Sequence, residues 1–171
     1  MPELNKGSVE AVIEKGIKHP IRLLLEAGCY PAVRVLTYSG MDTMAFLGMP
    51  ATKVDVMRSD FIAWAEQYIK IDLQDPPTGQ DLYGMRCSIL HGGAPSRFTR
   101  EGRGRPIEHV TVDELVRAFF TGVDQFLAEL ALDETRAALA NRRLEELWRE
   151  GPYQQASEPR AAWQKIEQFR R

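Results

Sequence analysis

An all-α helical bundle with one long irregular loop is what this sequence predicts. Apolar residues recur at helical spacing through most of its 171 positions. Runs that alternate polar and apolar residues, the mark of strands, are scarce. Gly- and Pro-rich breaks fall between the periodic segments and set their ends. The bundle is expected over residues 1–150, with a tail helix over 151–171.

Ser8 can cap a first helix that carries Val9, Val12, Ile13 and Ile17 at helical spacing. His19-Pro20 is expected to interrupt it, because proline lacks an N–H and restrains the residue before it. A short second helix comes next with Ile21, Leu24 and Leu25 inward, ending near Gly28. Tyr30-Pro31 opens the third, which runs to about Leu47 and stops at Gly48-Met49-Pro50. Over 55–69, Met57, Phe61, Trp64, Ala65 and Tyr68 form one stripe. Asp75-Pro76-Pro77-Thr78-Gly79 reads as a loop, and Thr78-Gly79-Gln80-Asp81 as a helix cap.

A helix is then expected from about Thr78 to His91, with Leu82, Met85 and Ile89 inward and Gly92-Gly93 as its stop. Residues 94–109 look irregular, and PIEHVTV could hold a short strand. Thr111 or Asp113 then caps the clearest helix in the chain. Its stripe is Val112, Leu115, Val116, Phe119, Phe120, Val123, Phe126, Leu127 and Leu130, an unbroken inward face. A further helix over 132–149 carries Ala137, Ala140, Leu144, Leu147 and Trp148, and the segment 158–170 holds Trp163 and Phe169.

Composition excludes several classes. With 22 Lys and Arg against 24 Asp and Glu the net charge is -2, unlike a strong non-specific nucleic-acid binder. Two cysteines, Cys29 and Cys87, have no zinc-ligand spacing, so no metal is expected. No stretch approaches the roughly 20 apolar residues of a membrane span. A chain with no secretory leader and few cysteines is expected in the cytoplasm. No P-loop, no G-x-G-x-x-G, no G-x-S-x-G and no His-x-x-x-His is present, and no cofactor is expected.

One stretch carries chemistry, DLYGMRCSILHGG over Asp81–Gly93. It sets Arg86 and His91 where a helix should end. Mid-helix, a spacing of five puts side chains about 140° apart, but a long Arg can reach the last turn. Cys87 stands i, i+4 to His91 and shares its side. A thiol nucleophile is disfavoured, because thiol enzymes draw such partners from separate elements. A helix C-terminus favours the imidazolium, and a pKa near 6.5 keeps both protonation states accessible. Arg stays charged and can hold a phosphate. The plain alternative is a surface Arg and a helix-end His.

The run Leu82-Tyr83, then Arg86-Cys87-Ser88-Ile89-Leu90-His91, late in a helical chain, resembles the HEPN domain family. That family's hallmark is an Arg, four to six residues, then a His at the end of its third or fourth helix. The resemblance covers about residues 8–149. It implies a homodimer in which two motif helices meet and pool their Arg and His in one cleft. It further implies a metal-independent endoribonuclease, in which the ribose 2′-OH attacks the adjacent phosphate to leave a 2′,3′-cyclic phosphate. His91 would be the general acid or base and Arg86 would stabilise the phosphorane. DNA, lacking the 2′-OH, would not be cut. A toxin or defence component with a cognate antitoxin protein is one setting for such a protein. Active members often carry Asn, Asp or His directly after the Arg, where this chain has Cys87. The alternative is a non-catalytic HEPN-like module that binds a partner protein or a nucleotide.

Two further features bear on the site. In GGAPSRFTREGRGRPIEH, Arg97, Arg100, Arg103 and Arg105 are opposed only by Glu101 and Glu108. They can grip an RNA backbone, or they can simply be solvated. Asp42 sits inside a largely apolar helix. Its default reading is a solvent-facing acid; the other is a partner for Arg86, or an orienting group for His91, if the two helices pack.

Overall fold

The computed structural model describes residues 6–90 and 110–150. They form an all-α bundle, with no strand among them. The irregular loop over 94–109, most of the predicted strand in PIEHVTV and the tail over 151–171 lie outside the described residues. Of that strand, Val110 is a buried bend and Thr111 and Val112 open a helix.

The first 21 described residues are one continuous helical run, which corrects the expected break at His19-Pro20. α1 (Lys6–Ile13) passes into a π-helical turn (Glu14–Lys18) and then into α2 (His19–Glu26). The reason is steric. Proline would clash with the carbonyl four residues back and has no N–H to offer it. Widening the preceding turn removes the conflict: the His19 N–H reaches Glu14 O, five residues back, and Pro20 takes the first-turn place of α2. Ser8 lies inside α1 and not at its cap. α2 closes on Gly28, whose φ of 69° needs glycine. The Gly28 N–H donates to Leu25 O at 3.0 Å and the Cys29 N–H to Leu24 O at 2.9 Å, the two bonds of a Schellman close.

α3 (Tyr30–Gly48) begins with Pro31 in its first turn and ends where Pro50 approaches. α4 (Arg58–Tyr68) starts later than the stripe suggests. Met57 is its N-cap and 60% exposed, because the Asp60 carboxylate reaches back to the Met57 N–H at 2.9 Å. α5 (Gly79–Leu90) opens on the expected cap: Asp81 accepts from the Thr78 N–H and hydroxyl, and its own N–H donates to Thr78 Oγ1. α6 (Val112–Leu132) opens on the same device with Thr111 and Glu114. α7 (Glu134–Glu150) starts from Asp133, which accepts from the Arg136 N–H at 3.0 Å.

α6 is the centre. Phe119, Val123 and Phe126 are fully buried, and Trp64 of α4 meets both phenylalanine rings at 6.3 Å in edge-on geometry. α6 packs on α3, α4 and α7; α5 lies against α3 and α4. That last arrangement sets the candidate site, since it brings the C-terminal half of α5 against the middle of α3. No described helix is long and apolar enough to cross a membrane.

Candidate functional site

α5 buries Leu82, Met85 and Ser88, with Ile89 packed partly against the core. Arg86 stands one helical turn after Leu82, at the margin of that buried face. Its stem is therefore covered while its head reaches sideways to α3. There it meets Asp42. The Arg86 Nε–H donates to Asp42 Oδ2 at 2.9 Å, and Nη2 lies 2.9 Å from the same oxygen. The side chains keep only 24% and 27% of their surface exposed. The sequence default of a solvent-facing Asp42 is thus corrected. The pairing arises because α3 and α5 pack together, which composition alone does not reveal.

The pair has a defined electrostatic character. Burial raises the Asp42 carboxyl above the ordinary aspartate range, and the hydrogen bond and charge of Arg86 only partly offset it. Burial works to lower the Arg86 pKa, yet the Asp42 bond and charge outweigh it, so the guanidinium stays cationic. Both donors on one edge of the guanidinium converge on Oδ2. The end-on edge, with Nη1, is turned from that contact. Asp42 Oδ1 has no hydrogen-bond partner among the described residues.

Tyr83 completes the surround. Its ring lies 5.9 Å from the Arg86 guanidinium and 5.4 Å from that of Arg58, and stands edge-on to Phe61 at 5.6 Å. Arg58 is tied to Gln80 Oε1 at 2.6 Å. Burial, then the hydrogen bond with Cys87, pushes the Tyr83 phenol up. Cys87 is a free, half-buried thiol one turn after Tyr83. Arg86, Asp42, Tyr83 and Cys87 therefore form one partly covered group that bears a fixed cation.

The remaining sequence candidates, His91, Arg97, Arg100, Arg103 and Arg105, lie outside the described residues. α5 is described up to Leu90, the residue that precedes His91. Among the described residues no three His, Cys, Asp or Glu side chains cluster as metal ligands.

Two buried charges escaped the sequence reading. Arg143 is 4% exposed and donates to the carbonyls of Phe46, Leu47, Met49, Pro50 and Lys53, closing the C-terminal end of α3. Its place three residues after Ala140, on the inward stripe of α7, is the signal that could have found it. Lys18 is buried, pairs with Asp124 and lies 5.3 Å from the Phe120 ring centre. It belongs to the π-helical turn, whose extra residue shifts the facing of the helix beyond it.

Comparison of the chain with protein-family models, with curated proteins and with solved structures found no match.

Proposed function

We propose that this chain is a HEPN-like, metal-independent endoribonuclease that acts as a homodimer through its α5 helices. The observation that carries the reading is the Arg86–Asp42 pair. Asp42 holds one edge of a permanent cation in place, and in this reading the guanidinium then meets a phosphate. That is what a charge-stabilising group for phosphoryl transfer requires: a donor fixed before the charge develops.

In this reading His91 moves the protons. One histidine of the composite cleft takes the 2′-OH proton as the oxygen attacks phosphorus; a protonated group returns one to the departing 5′-oxygen. The new bond is 2′-O–P, the broken bond P–O5′, and the products are a 2′,3′-cyclic phosphate and a 5′-hydroxyl. Arg86 neutralises the equatorial oxygens. Arg97, Arg100, Arg103 and Arg105 would hold the RNA backbone beyond the scissile phosphate, a contact weakened by salt. A cognate antitoxin would be the partner that silences such an activity in a toxin setting.

A non-catalytic HEPN-like module is the second reading, and Cys87 favours it, standing where active members often carry Asn, Asp or His. Its partner would be a protein or a nucleotide.

Incubation of the purified chain with total RNA in EDTA tests the proposal, alongside His91→Ala and Arg86→Ala. Cleavage by the parent chain to 2′,3′-cyclic phosphate ends, with a loss of about a hundredfold or more in either variant, supports the enzyme. Equal cleavage by parent and variants would mark a contaminant and defeat the assignment. No cleavage, with binding of RNA or protein intact in His91→Ala, would favour the module.

A further inference from the structure

Tyr83 is shared by two arginines from different helices. Arg86 follows it by three residues on α5, and its guanidinium carbon lies 5.9 Å from the ring centre. Arg58 is the first residue of α4, and its guanidinium carbon lies 5.4 Å from the same centre. The two carbons can be no farther apart than these distances laid end to end, about 11 Å. The packing of α4 on α5 is what brings both to one ring.

Each member of the group is held by a different neighbour. The Tyr83 ring stands edge-on to the buried Phe61. Asp42 holds Arg86 through Nε and Nη2. Gln80, one turn before Tyr83, accepts from Arg58 Nη2 at 2.6 Å. The ring therefore sets the interval between the cations, and the acceptors set their heads. Neither arginine belongs to the sealed core. Arg58 is exposed, and the Arg86 side chain keeps 24% of its surface exposed.

Charge and spacing decide what such a pair fits. Two cations within about a Debye length, roughly 10 Å, act on an approaching anion together. A guanidinium is well matched to phosphate. Single-stranded RNA carries one phosphate per nucleotide, so a strand held at Arg86 brings a neighbouring phosphate within the span to Arg58.

We propose that Arg58 is a second phosphate-binding residue of the Arg86 site. The RNA strand crosses Tyr83, with the scissile phosphate at Arg86 and a neighbouring phosphate at Arg58. The inference rests on the ribonuclease reading and adds a path to it: the strand runs from the C-terminal half of α5 toward the start of α4. Arg58 is a positioning residue here. Its contact is to the backbone alone, so it serves every base sequence equally.

Fluorescence anisotropy of the full chain with labelled single-stranded RNAs, taken over a range of salt concentrations, tests it. Oligo-U and oligo-A are the probes, and cleavage of total RNA in EDTA is followed in parallel. Arg58→Gln should weaken both probes by about threefold or more at low salt. It should also make the slope of log affinity against log salt shallower by about 0.7, the share of one phosphate on a single strand. Arg58→Lys keeps the charge and should keep the slope, which a merely structural role for Arg58 would not predict. Arg142→Gln, at an exposed position of α7, is the control and should leave the slope unchanged. RNA cleavage by the parent with an unaltered slope in Arg58→Gln would overturn the second contact and leave the ribonuclease reading standing. A shallower slope without cleavage by the parent would defeat the ribonuclease reading and keep the two-arginine grip as an RNA-binding surface. A parent chain that binds neither probe would overturn the grip.

Discussion

Arg86 of α5 and Asp42 of α3, 44 positions apart in sequence, meet at a single carboxylate oxygen, with Nε and Nη2 each 2.9 Å from Oδ2. The two partners are unequal. Arg86 is cationic whatever surrounds it, while Asp42 ionises against its own burial. Arg86→Met should leave a largely covered carboxylate without its cation, at a loss of about 1–3 kcal/mol. Asp42→Asn should cost less, about 0–1 kcal/mol, because the variant no longer bears the expense of a covered anion. Urea denaturation at neutral pH measures both. The opposite order would show that the guanidinium, not the carboxylate, depends on the pair.

The same asymmetry fixes a pH dependence. The folded Asp42 carboxyl binds its proton more tightly than the unfolded one, whose value is about 4. Above that value, up to the raised folded pKa, the native state holds more protons than the unfolded state. Stability from this group is therefore highest below the unfolded value and falls as pH rises through the folded one. Glu14, Asp60 and Glu129 are lowered and drive the total curve the other way, so the difference between parent and Asp42→Asn is the quantity to track. The parent's stability relative to the variant should decline from about pH 4 toward neutrality in a denaturation series, then level off. A difference that climbs with pH would mean that Arg86 outweighs burial.

What was legible in the chain divides along physical lines. α6 was readable because its inward stripe persists over 21 residues, and its start because Thr111 and Glu114 form a local cap. Glycine at 28 announced the close of α2 for the same local reason. The π-helical turn was not readable: a one-residue slip leaves the apolar spacing of Val9, Ile13, Ile17 and Ile21 almost unaltered, and proline pointed to a break. Asp42 was ambiguous because its environment is supplied by another helix. Arg143 was missed because five backbone carbonyls, which carry no side-chain signature, are what bind it.

Gly122 marks a close approach of α6 to the C-terminal end of α4. A Cβ at this position would lie 2.5 Å from the Tyr68 carbonyl oxygen and 3.0 Å from its carbon, both backbone atoms that cannot swing aside. In an open helix interior, alanine exceeds glycine by roughly 1 kcal/mol. Here the sign should reverse, and Gly122→Ala should lose about 1–3 kcal/mol as α4 is forced outward. Thermal unfolding checks it; a variant at least as stable as the parent would show that the two helices part without cost.

Arg143 carries the last prediction, since it replaces a backbone cap with a side chain from a distant helix. The final carbonyls of a helix have no intrahelical donor. At the end of α3 those of Phe46 and Leu47 are met by Nη1 at 3.1 and 3.4 Å, and the same nitrogen serves Met49 O. Nη2 serves Pro50 O at 2.8 Å and Lys53 O at 3.4 Å, so one planar fork organises the whole 46–53 turn. Lysine keeps the charge but concentrates its donors on one atom and cannot span these acceptors. Arg143→Lys should therefore lose about 2–4 kcal/mol, with buried carbonyls left unmet. In a domain of this size each kcal/mol lowers Tm by about 2–4 °C. Arg142→Lys, at the exposed neighbouring position, is the control and should change stability by no more than about 0.5 kcal/mol. Equal melting of the two variants would mean that charge, and not the geometry of the fork, is what the α3 terminus requires.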